Sequence, residues 1–208
     1  MSEFPESLRL QITEEMNQIH NGWTTVERGL EMAQMILDWD FHKSLRCVEL
    51  GVFGGKSMIP MALALKHKGT GMIYGVDPWM TEPCLEGENE ANKEWWSNVD
   101  LESIQTGVIK TIWRLGLQSQ AIIIRARSQD AWTLFQDGIQ FLNIDGCHSE
   151  VASCRDAELY VPLVTSGGYI FSDDADWEST QKMQEIILQS CELMKSGENG
   201  HYKIFRKL

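Results

Sequence analysis

No uninterrupted apolar run in this chain approaches the roughly eighteen residues that a membrane-spanning helix needs. Basic residues are scarce as well: 18 Lys and Arg stand against 30 Asp and Glu, a formal net charge of −12. Such a surface repels polyphosphate, so neither nucleic acid nor an anionic membrane is expected as a partner. The five cysteines (Cys47, Cys84, Cys147, Cys154 and Cys191) are odd in number and lack C-x-x-C spacing. That pattern excludes a disulfide framework and reads as reduced thiols. Cys147-His148 with Cys154 is half of a zinc site at most, because no second cluster completes it. The opening residues, Met1 to Glu6, have neither a basic start nor an apolar core, so the expected location is cytoplasmic.

What is present is alternation. With 208 residues, 43% of them hydrophobic, the chain can bury a good core and is most simply one domain, 1–208. Leu8, Ile12, Met16 and Ile19 repeat at helical spacing, as do Trp23, Val26, Leu30, Ala33 and Leu37, with Thr24 and Glu27 as a capping box. These form an expected N-terminal helical cap over 1–42. Strands are predicted at 45–51, 72–77, 121–124, 139–144, 168–171 and 202–206. Helices are predicted near 56–67, 129–136, 150–161 and 178–195. This order predicts an α/β fold, Rossmann-like and doubly wound, with a mostly parallel sheet and helices on both faces.

Residues 48–57, Val-Glu-Leu-Gly-Val-Phe-Gly-Gly-Lys-Ser, join the first strand to the next helix. Glycines let the backbone approach a ligand closely, and a helix N-terminus aims free N–H groups at it. A phosphate-cradling loop needs four residues between its first glycine and Gly-Lys-Ser. Only three separate Gly51 from Gly55, so Gly55-Lys56-Ser57 is one residue short. A dinucleotide fingerprint fails too, because Phe53 stands where its second glycine belongs. There remains Glu49-x-Gly51-x-x-Gly54-Gly55, which serves a nucleotide-like cofactor or is simply a tight strand-to-helix turn.

Ligands of such sheets bind beyond the carboxyl ends of the strands, and polar residues gather there. Asp77 closes the second strand, placed to take both ribose hydroxyls of an adenosine. Arg127-Ser128-Gln129 follows the third, Asp145-Gly146-Cys147-His148 the fourth and Ser172-Asp173-Asp174 the fifth. Strands four and five are expected neighbours, which brings Asp145, Asp173 and Asp174 to one edge. Crowded carboxylates repel unless a cation intervenes, and hard oxygen donors suit magnesium or a similar divalent ion. A hydroxyl bound to such an ion loses its proton more readily, and His148 is placed to take it near neutral pH. The plainer reading of each is a helix cap or a solvated loop residue.

Four segments, 48–57, Gly75-Val-Asp-Pro-Trp79, Ile144 to His148 and Gly167 to Asp174, fall in the order of a class I S-adenosylmethionine-dependent methyltransferase. The nearest resemblance is to small bacterial metal-dependent O-methyltransferases related to the macrocin and cephamycin-pathway enzymes, and it spans about 45–177. The resemblance implies that Glu49, Gly51, Phe53, Gly54, Gly55, Ser57, Asp77 and Trp79 bind S-adenosylmethionine, with Ser128 near the adenine. It implies Asp145, Asp173 and Asp174 as ligands of Mg²⁺ or a similar ion, with Asp145 also beside the cofactor. Catalysis would fall to Asp145 and His148. Macrocin-type enzymes carry a second acidic residue where this chain has Cys147, which moves the base to His148 or leaves deprotonation to the metal. The fold usually ends in an antiparallel strand pair, of which only one member is clear here.

The stretch 79–118 is the expected substrate insertion. It carries Trp79, Trp95, Trp96 and Trp113 among Glu86, Glu88, Glu90 and Glu94. These tryptophans either wall an acceptor pocket or anchor a helical subdomain, and Trp177 is placed to line the pocket. The expectation is a small-molecule acceptor and a possible homodimer. A cofactor-binding member without catalysis, and a Mg-dependent kinase or ATPase, remain as alternatives.

Overall fold

A computed structural model describes residues 3–39, 45–87, 90–136 and 138–208. The expected end of the N-terminal cap at 42, and Glu88 of the insertion, lie outside these residues. Helices α1 (Glu6–Gln18) and α2 (Val26–Asp38) come first, then β1 (Arg46–Leu50), α3 (Met58–Lys68) and β2 (Met72–Val76). The insertion folds as α4 (Thr81–Cys84), α5 (Glu90–Asn98) and α6 (Leu101–Arg114). After it come β3 (Ala121–Ile124), α7 (Ser128–Ala131), β4 (Ile139–Ile144), α8 (Glu150–Tyr160), β5 (Val164–Ser172), α9 (Gln181–Leu188), β6 (Cys191–Ser196) and β7 (Lys203–Lys207).

The sheet order is β3-β2-β1-β4-β5-β7-β6, with β1 to β5 parallel and β7 antiparallel to both its neighbours. Side chains alternate across it. Cys47, Ile73, Phe141 and Phe171 face α1, α2, α3 and α6, whereas Val48, Leu142 and Ile170 face α8 and α9. Both faces are therefore covered, which is why the strands read as nearly continuous apolar runs. The order reverses between β1 and β4, and the crevice outside that point is where such sheets bind ligands. None of the described helices is long and apolar enough to cross a membrane.

Several boundaries differ from the sequence reading: β5 starts at Val164 and not at 168, and the helix expected near 129–136 is α-helical over Ser128–Ala131 with a 3-10 turn at Trp132–Phe135. The helix expected over 178–195 stops at Leu188, and Cys191–Ser196 is a strand paired with β7, so the terminal antiparallel pair is complete. Glu, Leu, Met and Lys favour helix, but pairing on the sheet edge overrides a propensity of a few tenths of a kcal/mol per residue. The second helix is capped by Thr25, whose hydroxyl accepts from the Arg28 N–H at 3.2 Å, not by a Thr24–Glu27 box. Trp23 thereby falls outside the helix, on the connection between α1 and α2.

Candidate active site

The glycine loop is held from three sides. The Asp77 carboxylate, at the end of β2, accepts from the Val52 and Phe53 amides, both at 2.9 Å, and from the Trp79 amide at 2.7 Å. The Trp79 indole N–H donates to the Phe53 carbonyl at 2.9 Å. Phe53 and Trp79 both take left-handed backbone, at φ of 46° and 43°. Gly51, itself at φ 83°, and Gly54 are also required as glycine by close approach. A Cβ at Gly51 would stand 1.9 Å from the Asp145 carbonyl, and one at Gly54 would stand 1.9 Å from the Asn21 carbonyl. Residues 21–24 thus lie as a strap directly on the loop, with the Lys56 ammonium donating to the Gly22 carbonyl at 3.4 Å. Two amides that would cradle a phosphate are already bound to Asp77, so the loop is closed to the kinase chemistry its Gly-Lys-Ser ending resembles.

Beneath the loop Glu49 is fully buried. Ser57 donates its hydroxyl to one carboxylate oxygen, and the other has no hydrogen-bond partner. Burial pushes the Glu49 carboxyl up to about 8, against the lowering effects of Ser57 and Arg28. A carboxyl raised on folding keeps its proton while the unfolded chain has lost it. Between about pH 4.5 and 8 the folded state therefore binds more protons, and stability falls as pH rises. Glu49→Gln, without ligand, is expected to melt higher than wild type at pH 8 and to lose most of that advantage at pH 4.5. Thermal scans across that range check it.

The second half of the site is the carboxylate edge. Asp145 follows β4, and Asp173 and Asp174 follow β5, with Asp174 at φ 42°. Asp145 and Asp173 lie close enough for the charge of Asp173 to act on Asp145. Desolvation and the Asp173 charge hold the Asp145 carboxyl well above the usual range. Asp173 lies below the usual range, because the effects of Arg28 and of its hydrogen bonds outweigh its own desolvation. Arg28, from α2, is the partner the sequence did not show. Its guanidinium donates to Asp173 and lies over the Tyr202 ring at 5.1 Å, while its Nε and second terminal nitrogen have no partner. His148 Nε2 stands 3.3 Å from Asp174 and 3.8 Å from Asp145, without hydrogen-bond geometry, and its ring is 5.3 Å from that of Trp177.

These two halves meet in one cavity of about 560 Å³, within the usual range for a small-molecule site. Gly51, Phe53, Ser57, Asp77, Ser128, Asp145, His148, Asp173, Asp174 and Trp177 all line it. Glu49, Gly54, Gly55 and Trp79 do not; they shape its wall from behind. A wider groove of about 1150 Å³ between α2 and the β5–β7 edge holds none of the expected site residues. Asp156 was also missed. It is buried, lines the cavity, accepts from the Ser128 hydroxyl, and is pushed up to about 6 by desolvation.

The donor chemistry of the edge suits a hard divalent ion: three carboxylates face one guanidinium, which leaves two formal negative charges in a confined mouth. As they lie, no three His, Cys, Asp or Glu side chains among the described residues are grouped to hold a metal.

A cofactor-sized crevice at the sheet's switch point, floored by a glycine loop and edged by carboxylates, defines a class I methyltransferase architecture. A family profile described as a methyltransferase domain matches residues 48–175, and the chain belongs to that family of S-adenosylmethionine-dependent enzymes. An uncharacterised protein of Acanthamoeba polyphaga mimivirus is 26% identical over 160 residues. That match takes in 76% of this chain and spans 65% of the viral protein's length. Among solved structures, the O-methyltransferase NovP superposes with a TM-score of 0.69 at 16% identity, over 88% of this chain and 80% of that one. TomG from Streptomyces achromogenes, an O-methyltransferase of tomaymycin synthesis solved with S-adenosylmethionine, gives 0.62 at 13%, over 100% and 92%. A Podospora anserina methyltransferase bound to S-adenosylhomocysteine gives 0.66 at 9%, over 99% and 89%. At these identities the likeness is one of fold.

Proposed function

We propose that the protein transfers the methyl group of S-adenosylmethionine to a hydroxyl of a small molecule. The observation that carries the reading is the convergence of the glycine loop and the carboxylate edge on a single cavity, with His148 between Asp145 and Asp174 at its mouth. The loop and Ser57 would take the amino-acid end of the cofactor, Asp77 the ribose and Ser128 the adenine side. The acceptor oxygen then attacks the methyl carbon as the sulfur–methyl bond breaks, the sulfonium becomes a neutral thioether, and His148 takes the acceptor's proton.

Asp145, Asp173 and Asp174 would hold a divalent ion, which when bound supplies acidification of the acceptor hydroxyl. The acidic surface supports a small acceptor over a nucleic acid.

Titration calorimetry with S-adenosylhomocysteine and with ATP tests the cofactor. We expect micromolar binding of the first and none of the second; the reverse result would overturn the proposal. Wild type that binds S-adenosylhomocysteine but turns over no hydroxylated compound would correspond to the non-catalytic alternative and overturn methyl transfer. The metal component is tested apart from turnover, by Mn²⁺ titration of wild type and of Asp174→Ala. The variant is expected to lose at least ten-fold in Mn²⁺ affinity, and EDTA to abolish turnover reversibly. Full activity in EDTA would remove the ion and leave methyl transfer standing.

A further inference from the structure

We infer that the acceptor presents a flat aromatic ring, seated on a platform built by Trp23, Phe53, Trp95 and Trp96. This rests on the methyl-transfer reading and names the substrate class of the same cavity. Three separate segments contribute the four rings: the strap, the glycine loop and α5. Trp23 stacks on Phe53 with centroids 5.3 Å apart and planes at 11°. Trp96 meets the Phe53 ring edge-on at 5.7 Å, and Trp95 meets Trp96 at 4.7 Å and 76°. Trp95 also lies 5.8 Å from Trp23.

These separations decide what the cluster can do. Rings 4.7 to 6.5 Å apart already touch one another, so nothing fits between them. A cage that encloses a cation needs an opening among its walls, and this cluster has none. It presents an outer surface instead. Trp23 is 70% exposed and Trp95 45%, although both line the cavity. An indole with one face stacked on Phe53 leaves the other free for a planar partner. Exposure of this much aromatic surface beside a cavity costs solvation free energy, which is recovered when a ring covers it.

The discrimination against a polyol lies in the platform and not in the polar groups nearby. Glu86 accepts from the Ser149 hydroxyl at 3.2 Å, and Lys56 donates to the strap carbonyl of Gly22. Both keep spare hydrogen-bonding capacity, but the indole faces of the platform offer a saturated polyol no conventional hydrogen bond. A phenol or catechol needs one or two polar partners, and the edge at Asp145, His148 and Asp174 supplies them. Across the cavity Trp177, 43% exposed, offers a second aromatic contact.

The test uses the full chain saturated with S-adenosylhomocysteine, with 6,7-dihydroxycoumarin as a planar probe and methyl glucoside as a saturated one. Binding is read by calorimetry and by quenching of tryptophan emission. Wild type is expected to bind the coumarin at least ten-fold more tightly than the glucoside. Trp23→Ala should weaken the coumarin about ten-fold and leave S-adenosylhomocysteine affinity within two-fold, with Trp23→Phe recovering most of the loss. Tighter binding of the glucoside, or an unchanged coumarin affinity in Trp23→Ala, would overturn the platform. Failure of wild type to bind S-adenosylhomocysteine at all would strike the methyl-transfer reading instead, so the two failures are distinguishable.

Discussion

Asp145→Ala is expected to lower turnover by about 10³-fold or more, the range in which a positioned acid–base or electrostatic group acts. S-adenosylhomocysteine binding should persist, because the glycine loop is shaped by Asp77, Trp79 and the strap and not by the Asp145 side chain. The same variant is expected to melt no lower than wild type. Asp145 and Asp173 are two buried carboxylates sharing one guanidinium, and removal of Asp145 leaves a balanced Arg28–Asp173 pair. Loss of activity without loss of stability is the mark of a strained functional group. A large fall in melting temperature would show that Asp145 is structural. Steady-state kinetics, calorimetry and thermal scans on one preparation separate the outcomes.

Arg28→Ala should do the opposite. Arg28 is 7% exposed, and its guanidinium is the only counter-charge in direct ion-pair contact with Asp173 among the described residues. Its removal leaves buried carboxylates without a partner, which costs about 3–5 kcal/mol. In a chain of this size each kcal/mol lowers the melting temperature by about 2–4 °C, so a fall of roughly 10 °C is expected. Arg28→Ala combined with Asp173→Ala should recover part of it, because the second change removes the orphaned charge. If the double variant melts lower than Arg28→Ala by the full cost of Asp173→Ala measured alone, the pair carries no coupling. Lys at position 28 is expected to rescue little, since an ammonium cannot lie flat over Tyr202 while reaching Asp173.

The glycine-loop half of the candidate site was legible in the sequence because its signals are local. Gly51 and Gly54 are glycine because backbone passes within 2 Å of where a Cβ would be, and spacing alone separated this loop from a phosphate loop. Strand ends were readable because a buried parallel strand is a mostly apolar run, and a carboxylate follows directly on β2, β4 and β5 at Asp77, Asp145 and Asp173. What escaped was the long-range part. Arg28 meets Asp173 across 145 positions, and nothing about an arginine on an amphipathic helix marks it for that partner. Trp23 fell into a helical pattern at the spacing of Val26 and Leu30, and only the Thr25 cap moved it onto the strap. Asp156 reads as an ordinary helix-surface carboxylate until α8 is packed against Ser128. The last strand pair was hidden by composition, since Cys191 is the one buried residue in β6 and no alternation survives at the sheet edge.

The strap that rests on Gly54 lies upstream of residue 48, where the family likeness begins. Residues 21–28 place Trp23 on the cavity and Arg28 against Asp173, the proposed acceptor platform and the counter-charge of the carboxylate edge, yet they sit outside the stretch that marks the chain as a methyltransferase. On the proposed reading, membership and selectivity are therefore inscribed in different parts of the chain. Drift in the first forty residues would then change what is methylated while the cofactor chemistry stays as it was. Relatives sorted by the shared segment alone would be grouped by how they hold the methyl donor, and kinship of that sort says little about which molecules they modify.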